Sequence, residues 1–372
     1  MVIEPVHVEV ESNQISLHFR PDDSNPATGK ISLSLPVKRS DGGLARLSRG
    51  DADPSRPPTG QHFADRLVER ARGIGSRLIV GLDPDVERFP GYLRQRFAAN
   101  PSDRTLEDVI VQFHEAVIEA TAPCAAAYKP QAAFYEQYGY AGIRALHRTI
   151  VFLRDRGLPI LLDAKRNDIE HTAGAYGRAW LGQTRPLTGE ANDWRVDALT
   201  INGYLGIDGI RPFLEADPHA GLFVLAKTSN PSSGEFQDLR LADGGGTNFE
   251  RMAELAESWG RNTIGASGYA RIGLVVGATY PEASQRLRRI APSALFLMPG
   301  VGAQGAGFDS VAMGCGGKDG WGAFAASSRS VLYGFDKSLA AGRDTWRDAV
   351  KDAARTEAER IRDGVQAALD EV

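Results

Sequence analysis

The sequence predicts an α/β protein whose main domain is a (β/α)8 TIM barrel preceded by an N-terminal extension. From residue 61 onward, short β-rich runs alternate with segments of helical periodicity, and this alternation indicates a parallel sheet. The β-rich runs number eight, and eight strand-helix units over about 300 residues fit a closed barrel. An open doubly wound sheet is the alternative, because a sequence does not show whether its sheet closes.

The eight predicted strands are short apolar runs, most of them ending at Gly, Pro or a charged residue. They occupy residues 77–83, 124–130, 159–165, 196–202, 221–227, 272–278, 295–300 and 330–334. Apolar residues recur at helical spacing over 106–120, 141–155, 249–262, 281–291 and 345–369. These five segments are the predicted amphipathic helices.

The first sixty residues differ from the rest of the chain. The runs VHVEVESNQISLHF and KISLSLPV alternate like edge strands, and SRGDADPSRPPTG then has the composition of a linker. We therefore expect residues 1–60 to form an extension and linker with a β-hairpin, and residues 61–372 to form the barrel. A strand module that binds a partner is the alternative for the extension.

Composition narrows the classes of function. The chain is 42% hydrophobic and 24% charged with a net charge of -4, which indicates a globular protein without the basic stripe of nucleic-acid or anionic-membrane binding. A small molecule is the expected partner. Two cysteines without metal or disulfide spacing favour a reducing cytoplasm. No apolar run approaches a membrane span, and no basic, then apolar leader begins the chain.

Charged residues stand where the predicted strands end, and barrels carry their active sites at the carboxyl ends of the strands. These positions are Asp83, Lys129, Asp163, Lys165, Lys227 and Arg329. Side chains two apart in a strand point the same way, so Asp163 and Lys165 share a face about 7 Å apart. An ordinary rim ion pair explains a lone Asp-x-Lys, but Lys129 at the end of the preceding strand favours chemistry.

Two neighbouring features complete this charged region. Asp168 follows the Asp-x-Lys pair on the turn into the next helix. His171 lies beside it, but no second histidine stands at ligand spacing, so we predict a surface histidine and no metal site.

The stretch GVGAQG fits the dinucleotide pattern G-x-G-x-x-G, but its setting is wrong for that function. It follows the seventh strand rather than an early one, and it runs into AGFDSVAMGCGGKDG, where we expect no helix start. Loops after strands seven and eight often bind phosphate in barrels. The backbone around Gly302, with the side chains of Gln304 and Arg329, therefore predicts a monophosphate site.

A segment of about twenty residues, 229–247, has no clear period. Connections of this length without secondary structure are usually functional, so we predict a lid.

Five motifs together resemble the orotidine 5'-phosphate decarboxylase family, in its longer bacterial subgroup. They are GLDPD at 81–85, YKPQ at 128–131, DAKRNDIEHT at 163–172, KTSNPSSGEFQ at 227–237 and PGVGAQG at 299–305. The resemblance spans roughly residues 61–372. The extension lies outside the family core, and Gly203 stands where this subgroup leads us to expect proline.

The resemblance implies the decarboxylation of orotidine 5'-phosphate to uridine 5'-phosphate (UMP), the last step of de novo pyrimidine biosynthesis. It implies no cofactor and a homodimer whose two active sites share residues. The implied alternating array is Lys129, Asp163, Lys165 and Asp168, with Asp168 and Thr172 supplied by the partner subunit.

Elementary chemistry agrees with the implied roles. Loss of CO2 leaves a poorly delocalised carbanion at C6, and a fixed ammonium, Lys165, can stabilise it and then protonate it. Asp163 near the substrate carboxylate disfavours the ground state. Lys129 and Asp168 are expected to fix the array and contact the ribose, and Asp83 to bind ribose hydroxyls as well. The resemblance implies that either Thr228 or Ser229 recognises the pyrimidine, and Gln237 is expected to reach the phosphate when the lid closes.

Three alternatives stay open at this point. Mg-dependent sugar-phosphate decarboxylases and aldolases of the same superfamily share the Asp-x-Lys-x-x-Asp core. A Schiff-base aldolase using Lys227 or Lys165 is the second. The third is a non-catalytic phosphate-binding barrel that assembles through its extension.

Overall fold

The computed structural model describes the strand backbones at 7–11, 14–18 and 32–36, and residues 61–182, 184, 194–242, 244–302, 307–316 and 320–372. The predicted phosphate ligand Gln304 lies outside these residues. Contacts divide the chain into two units, Met1–Asp51 and Ala52–Val372.

The first unit contains a three-stranded antiparallel sheet in the order β1-β2-β3. Its strands are β1 His7–Glu11, β2 Gln14–His18 and β3 Ser32–Pro36. β1 and β2 pair with His7 opposite His18, and β3 adds to the far edge of β2. The alternating runs of the extension thus form strands as predicted, with one strand more than a hairpin.

The second unit contains eight parallel strands. They are β4 Leu78–Leu82, β5 Ala125–Pro130, β6 Leu161–Arg166, β7 Ala198–Ile201, β8 Gly221–Lys227, β9 Ile272–Val276, β10 Phe296–Pro299 and β11 Ala323–Ser327. Their order is β5-β4-β11-β10-β9-β8-β7-β6, and bridges between Tyr128 and Ile160 and between Gln131 and Asp163 bring β5 against β6. The sheet therefore closes on itself, and the predicted barrel is confirmed.

The eighth strand was predicted in the wrong place. The run at 330–334 is a short helix, α12 Arg329–Tyr333, in which the Leu332 N–H donates to the Ser328 carbonyl. The strand is the preceding AFAAS. This run has no β-branched residue, but small apolar side chains suffice in a strand that is buried throughout, so packing overrides intrinsic propensity.

Helices surround the barrel strands. Besides α12 they are α1 Phe63–Ile74, α2 Gly91–Ala99, α3 Asp103–Thr121, α4 Ala132–Glu136, α5 Gly139–Arg154, α6 Glu170–Trp180, α7 Arg211–Ala216, α8 Gly234–Gln237, α9 Asn248–Gly260, α10 Pro281–Ile290, α11 Phe308–Gly314 and α13 Trp346–Asp370. The five predicted helices are confirmed as α3, α5, α9, α10 and α13. No described helix is long and apolar enough to cross a membrane.

Helix α11 corrects a second prediction, because we expected no helix start after the glycine-rich stretch. The helix follows Gly307, whose φ of 92° sharply redirects the chain into it. It is short and itself ends in a glycine, Gly314, which is why the sequence gives so weak a helical signal.

The buried residues form two layers, and these layers set where a site can lie. The larger cluster fills the space between strands and outer helices, and the smaller one combines α1 with alternate strand residues such as Ile79 and Phe324. Phe63 of α1 packs edge-on against Phe223 of β8, with ring centroids 6.1 Å apart. The amino-terminal half of the barrel interior is thus packed largely with apolar side chains, whereas the buried charges of Lys129 and Asp163 lie toward the carboxyl ends of the strands.

Candidate active site

A coupled cluster of charges lies at the carboxyl ends of neighbouring strands. The Lys129 ammonium on β5 donates to Asp163 Oδ2 at 3.1 Å, and the Lys165 ammonium on β6 donates to Asp163 Oδ1 at 2.7 Å. Lys129 and Asp163 are buried, whereas the Lys165 side chain is 46% exposed. Lys165 therefore presents its ammonium to the barrel mouth, and the Lys129 ammonium is buried behind the Asp163 carboxylate.

Thr200 on β7 belongs to this cluster, and sequence reasoning missed it. Its hydroxyl donates to Asp163 Oδ1 at 2.8 Å and accepts the backbone N–H groups of Ala164 and Lys165, both at 2.9 Å. The sequence signal for this role is weak: Thr200 lies near the end of a predicted strand, but so do many threonines that only form β-structure.

The backbone at Lys165 is in the left-handed region, with a φ of 48°. This conformation is unfavourable for a lysine and persists only where the surroundings hold it. The register of β6 against β7 shifts between Leu162 and Arg166, and the two N–H bonds to Thr200 fall within this irregularity. Thr200 thus both fixes Asp163 and stabilises the turn of chain that presents Lys165.

The cluster keeps its charges at neutral pH. Burial alone would raise the pKa of Asp163, but the charges of Lys129 and Lys165, with hydrogen bonds from Lys165 and Thr200, lower it to about 2. Burial would lower the pKa of Lys129, but the nearby carboxylates of Asp163 and Asp83 outweigh it and raise that pKa. Asp163 is therefore a carboxylate and Lys129 an ammonium.

Asp83 follows β4 beside this cluster. Its Oδ1 is buried and has no hydrogen-bond partner among the described residues. Its backbone is fixed by Tyr333, whose hydroxyl donates to the Asp83 carbonyl at 2.7 Å and accepts the Asp85 N–H at 2.8 Å. The Asp83 side chain as a whole is only partly buried, and no described residue donates a hydrogen bond to its carboxylate, so this carboxylate can accept a hydroxyl group of a ligand.

Two of the predicted phosphate residues, Gly302 and Arg329, lie on the β11 side of the mouth. Arg329 is exposed at the first residue of α12. The Gly302 carbonyl accepts Arg360 of α13 at 2.5 Å, and a Cβ at Gly302 would lie 3.0 Å from Ser327 Oγ. At the neighbouring strand, a Cβ on Gly81 would lie 1.8 Å from Ser328 Oγ, so only glycine permits the close approach of β4 to the end of β11.

The segment after β8 folds back onto its own strand. The buried Lys227 ammonium donates to Asp238 Oδ1 at 2.6 Å. The Thr228 N–H donates to Gln237 Oε1 at 2.9 Å, and Gln237 Nε2 donates to Thr228 Oγ1 at 2.7 Å. Ser229 is exposed. The amide of Gln237 is thus engaged at Thr228, and its role at the phosphate stays a prediction.

Asp168 and Thr172 are not joined to the cluster within this single chain. Asp168 is half-buried and accepts the Ile169 N–H at 2.9 Å, and Thr172 is exposed on α6. Among the described residues, no three His, Cys, Asp or Glu side chains are arranged to hold a metal ion.

Fold and site together define the class: a (β/α)8-barrel enzyme that presents fixed charges to a small substrate at its mouth. The model of the orotidine 5'-phosphate decarboxylase / HUMPS family matches residues 76–318. This chain belongs to the orotidine 5'-phosphate decarboxylase family.

Individual relatives agree with the family model. The orotidine 5'-phosphate decarboxylase of Caldicellulosiruptor bescii is 39% identical over 278 residues, which is 74% of this chain and 90% of that protein. The enzyme of the same name from Rhodopirellula baltica is 40% identical over 298 residues, 78% of this chain and 96% of that protein. The OMP decarboxylase structure from Leishmania donovani aligns with a TM-score of 0.60 at 32% identity, over 83% of this chain and 99% of that one.

Proposed function

We propose that this chain decarboxylates orotidine 5'-phosphate to UMP and CO2, completing de novo pyrimidine biosynthesis, as a homodimer and without a cofactor. The observation that carries the proposal is the ion-paired cluster of Lys129, Asp163 and Lys165 at the barrel mouth. Its one exposed ammonium has the position and charge that a developing carbanion requires.

The chemical step assigns separate roles to the cluster. The electron pair of the bond between C6 and the carboxylate stays on C6 as CO2 leaves, and the Lys165 ammonium stabilises this charge before donating its proton to C6. Asp163, ionised because the pKa lies at about 2, stands against the substrate carboxylate and disfavours the ground state. Lys129 and Thr200 hold Asp163 in place.

The ribose and phosphate bind on either side of the cluster in this proposal. Asp83 accepts a ribose hydroxyl through its partly buried carboxylate, to which no described residue donates a hydrogen bond. Arg329 pairs with the phosphate, and the backbone at Gly302 and the side chain of Gln304 complete that subsite. The support is that Arg329 is exposed at the mouth and Gly302 lies against the end of β11.

Between the two candidates for the pyrimidine, we favour Ser229. The Thr228 hydroxyl donates to Asn230 at 2.6 Å and accepts Gln237, so its hydrogen bonds are made within the protein. The Ser229 hydroxyl is exposed and makes no hydrogen bond with any described residue. It is therefore free to bind the base.

The roles of Asp168 and Thr172 are proposed to lie in the partner subunit's site. The support is that both reach solvent, and that within the described residues neither makes an ion pair in its own chain. A cytoplasmic location is proposed as well, since Cys124 and Cys315 are both free thiols.

Ultraviolet monitoring of orotidylate loss by the purified protein, with EDTA present, tests the proposal. We expect undiminished turnover. Activity lost to EDTA and restored by Mg²⁺ would instead indicate the metal-dependent sugar-phosphate branch. Borohydride trapping of a covalent adduct would indicate a Schiff base, which the ion pair at Lys227 disfavours.

A further inference from the structure

The carboxyl end of β8 holds a loop by two adjacent, nested contacts. Lys227, the last residue of β8, binds Asp238, and Thr228, the residue after it, binds Gln237. Residues 229–238, which these contacts close into a turn, are called the β8 loop. Its first residue is Ser229, the proposed pyrimidine contact.

The Lys227 ammonium is enclosed almost entirely by this loop and by aromatic rings. Besides Asp238, it donates to Ser233 Oγ at 3.4 Å, and it lies 5.1 Å from the ring centre of Tyr280 and 5.5 Å from that of Phe249. The Lys227 side chain is 5% exposed, whereas Asp238 is 50% exposed. A buried ammonium needs its carboxylate far more than an exposed carboxylate needs its ammonium, so Lys227 draws the β8 loop inward.

Ser229 is confined from the opposite side. A Cβ on Gly277, just after β9, would lie 2.8 Å from the Ser229 backbone nitrogen, so the two backbones touch. The Gly277 N–H also donates to the Lys227 carbonyl at 2.6 Å. Ser229 is thus confined by the end of β9 on one side and by the contacts of Lys227 and Thr228 with Asp238 and Gln237 on the other.

We propose that Lys227 and Asp238 are positioning residues for pyrimidine recognition: their ion pair holds the β8 loop so that Ser229 meets the base. This inference rests on the proposed function and deepens it. Neither residue touches the reacting atoms, so their removal should act on binding of the base and leave binding of the sugar phosphate unchanged.

The test compares two ligands that differ only by the base. Dissociation constants for UMP and for ribose 5-phosphate are measured calorimetrically for the wild type, Lys227→Met and Asp238→Asn, with KM and kcat alongside. We expect Lys227→Met to weaken UMP binding about tenfold, the equivalent of one hydrogen bond, with ribose 5-phosphate binding unchanged. Asp238→Glu, which keeps the carboxylate, should recover most of the loss seen in Asp238→Asn.

Two controls separate positioning from mere stability. Lys351→Met removes another lysine ion pair, with Glu119 at 2.6 Å near the end of α3 that leads into the amino-terminal end of β5, and should leave both ligands unaffected. Lys227→Met/Asp238→Asn should bind UMP no more weakly than Lys227→Met, because the pair acts as a unit. Lys227→Met also leaves no buried unpaired charge, so it folds even where Asp238→Asn does not.

Other outcomes overturn the inference. A lower melting temperature with an unchanged ratio of the two dissociation constants would make the pair structural only. Equal weakening of UMP and ribose 5-phosphate binding would mean that the ion pair stabilises the whole barrel mouth rather than the pyrimidine site. In either case a wild type that binds UMP and decarboxylates orotidylate keeps the proposed function, whereas a wild type that does neither ends both proposals.

Discussion

Two buried lysines at the same barrel mouth, Lys129 on β5 and Lys227 on β8, are each paired with an aspartate, but the aspartates differ in kind. Asp163 belongs to the adjacent strand β6 and its side chain is 11% exposed, whereas Asp238 belongs to a loop and is 50% exposed. The same kind of ion pair therefore fixes charges within the barrel wall in one place and ties a loop to the wall in the other.

The two ion pairs, Lys129–Asp163 and Lys227–Asp238, therefore suit two different tasks at the same barrel mouth. Charges in the wall do not reorganise during a reaction, and that is the property that stabilises a transition state electrostatically. The β8 loop is tied to the wall through two side chains, those of Asp238 and Gln237, so it can be released without rearranging the charges of the wall. The five predictions below probe this division, beginning with the largest effect.

The ion-paired residues Lys129, Asp163 and Lys165 are called the wall cluster. Removing its exposed ammonium, that of Lys165, should give the largest loss of activity. Lys165→Ala should lower kcat on the order of 10³-fold or more, because the developing carbanion loses its charge partner and its proton source. UMP should still bind, and folding should persist because Asp163 keeps Lys129 and Thr200. Lys351→Ala on α13 is the matched control and should retain full activity. Turnover in Lys165→Ala near the wild-type rate would refute the assignment.

Mixing two inactive variants tests whether the wall cluster is completed by a partner. Asp168→Ala should be nearly inactive, but Lys165→Ala and Asp168→Ala subunits mixed equally should recover about a quarter of wild-type activity, since half the dimers are mixed and one of their two sites is intact. Turnover is measured after mass spectrometry confirms subunit exchange. Exchange without recovered turnover would remove Asp168 from the partner's site.

Substituting the two buried lysines tests the comparison directly. Lys129→Met should lower kcat about 100-fold, because Asp163 loses a partner that fixes its position. Lys227→Met should act mainly by raising KM. Steady-state kinetics with orotidylate separate the two effects. Identical changes of kcat and KM in both variants would mean that the wall cluster and the β8 loop have the same role in catalysis.

The pH dependence of stability sharpens the description of the wall. The pKa of Asp163 is about 2 in the folded protein against about 3.9 in an unfolded chain, so its stabilisation is complete above about pH 4 and is lost as the pH falls toward 2. This contribution is on the order of 2 kcal/mol. Urea unfolding should give a higher free energy of unfolding for the wild type than for Asp163→Asn, and this difference should narrow as the pH falls. A gap independent of pH would mean that Asp163 is not the titrating group.

The smallest effect is expected outside both regions. A chain beginning at Gln61 lacks the three-stranded sheet but keeps every barrel strand and every proposed site residue. We predict unchanged kcat and KM and an unchanged dimeric state, with light scattering giving twice the mass of the shortened chain. Loss of folding or of the dimer would show that the extension is structural and that a domain boundary near residue 60 is wrong.

The sequence predicted most of the fold, because hydrophobic periodicity survives in long amphipathic helices and buried strands. It predicted Lys129, Asp163 and Lys165 as neighbours because charged residues at strand ends must meet at one barrel mouth. It did not predict the strand AFAAS, where tertiary burial rather than residue preference decides. Nor did it identify Thr200, since a threonine in a strand looks like any β-former until its hydroxyl is seen against Asp163.

The choice between Thr228 and Ser229 was beyond the sequence for another reason. It depends on Gln237 folding back nine positions to occupy the Thr228 hydroxyl, and side-chain pairing across a loop leaves no periodic trace. The partner-subunit role of Asp168 stays a prediction, because it concerns an assembly that a single chain does not contain.

The seam of the barrel, where β5 meets β6, has a consequence for the evolution of duplicated copies of the gene. The strand order begins at β5 and ends at β6, and among the described residues the backbones of these two strands pair through isolated bridges. Lys129 and Asp163 stand on opposite sides of that seam, so their ion pair also closes the barrel. A duplicated copy that no longer decarboxylates would still lose stability on losing either residue. Selection on folding alone should therefore preserve half of the charged array long after its chemistry has been abandoned.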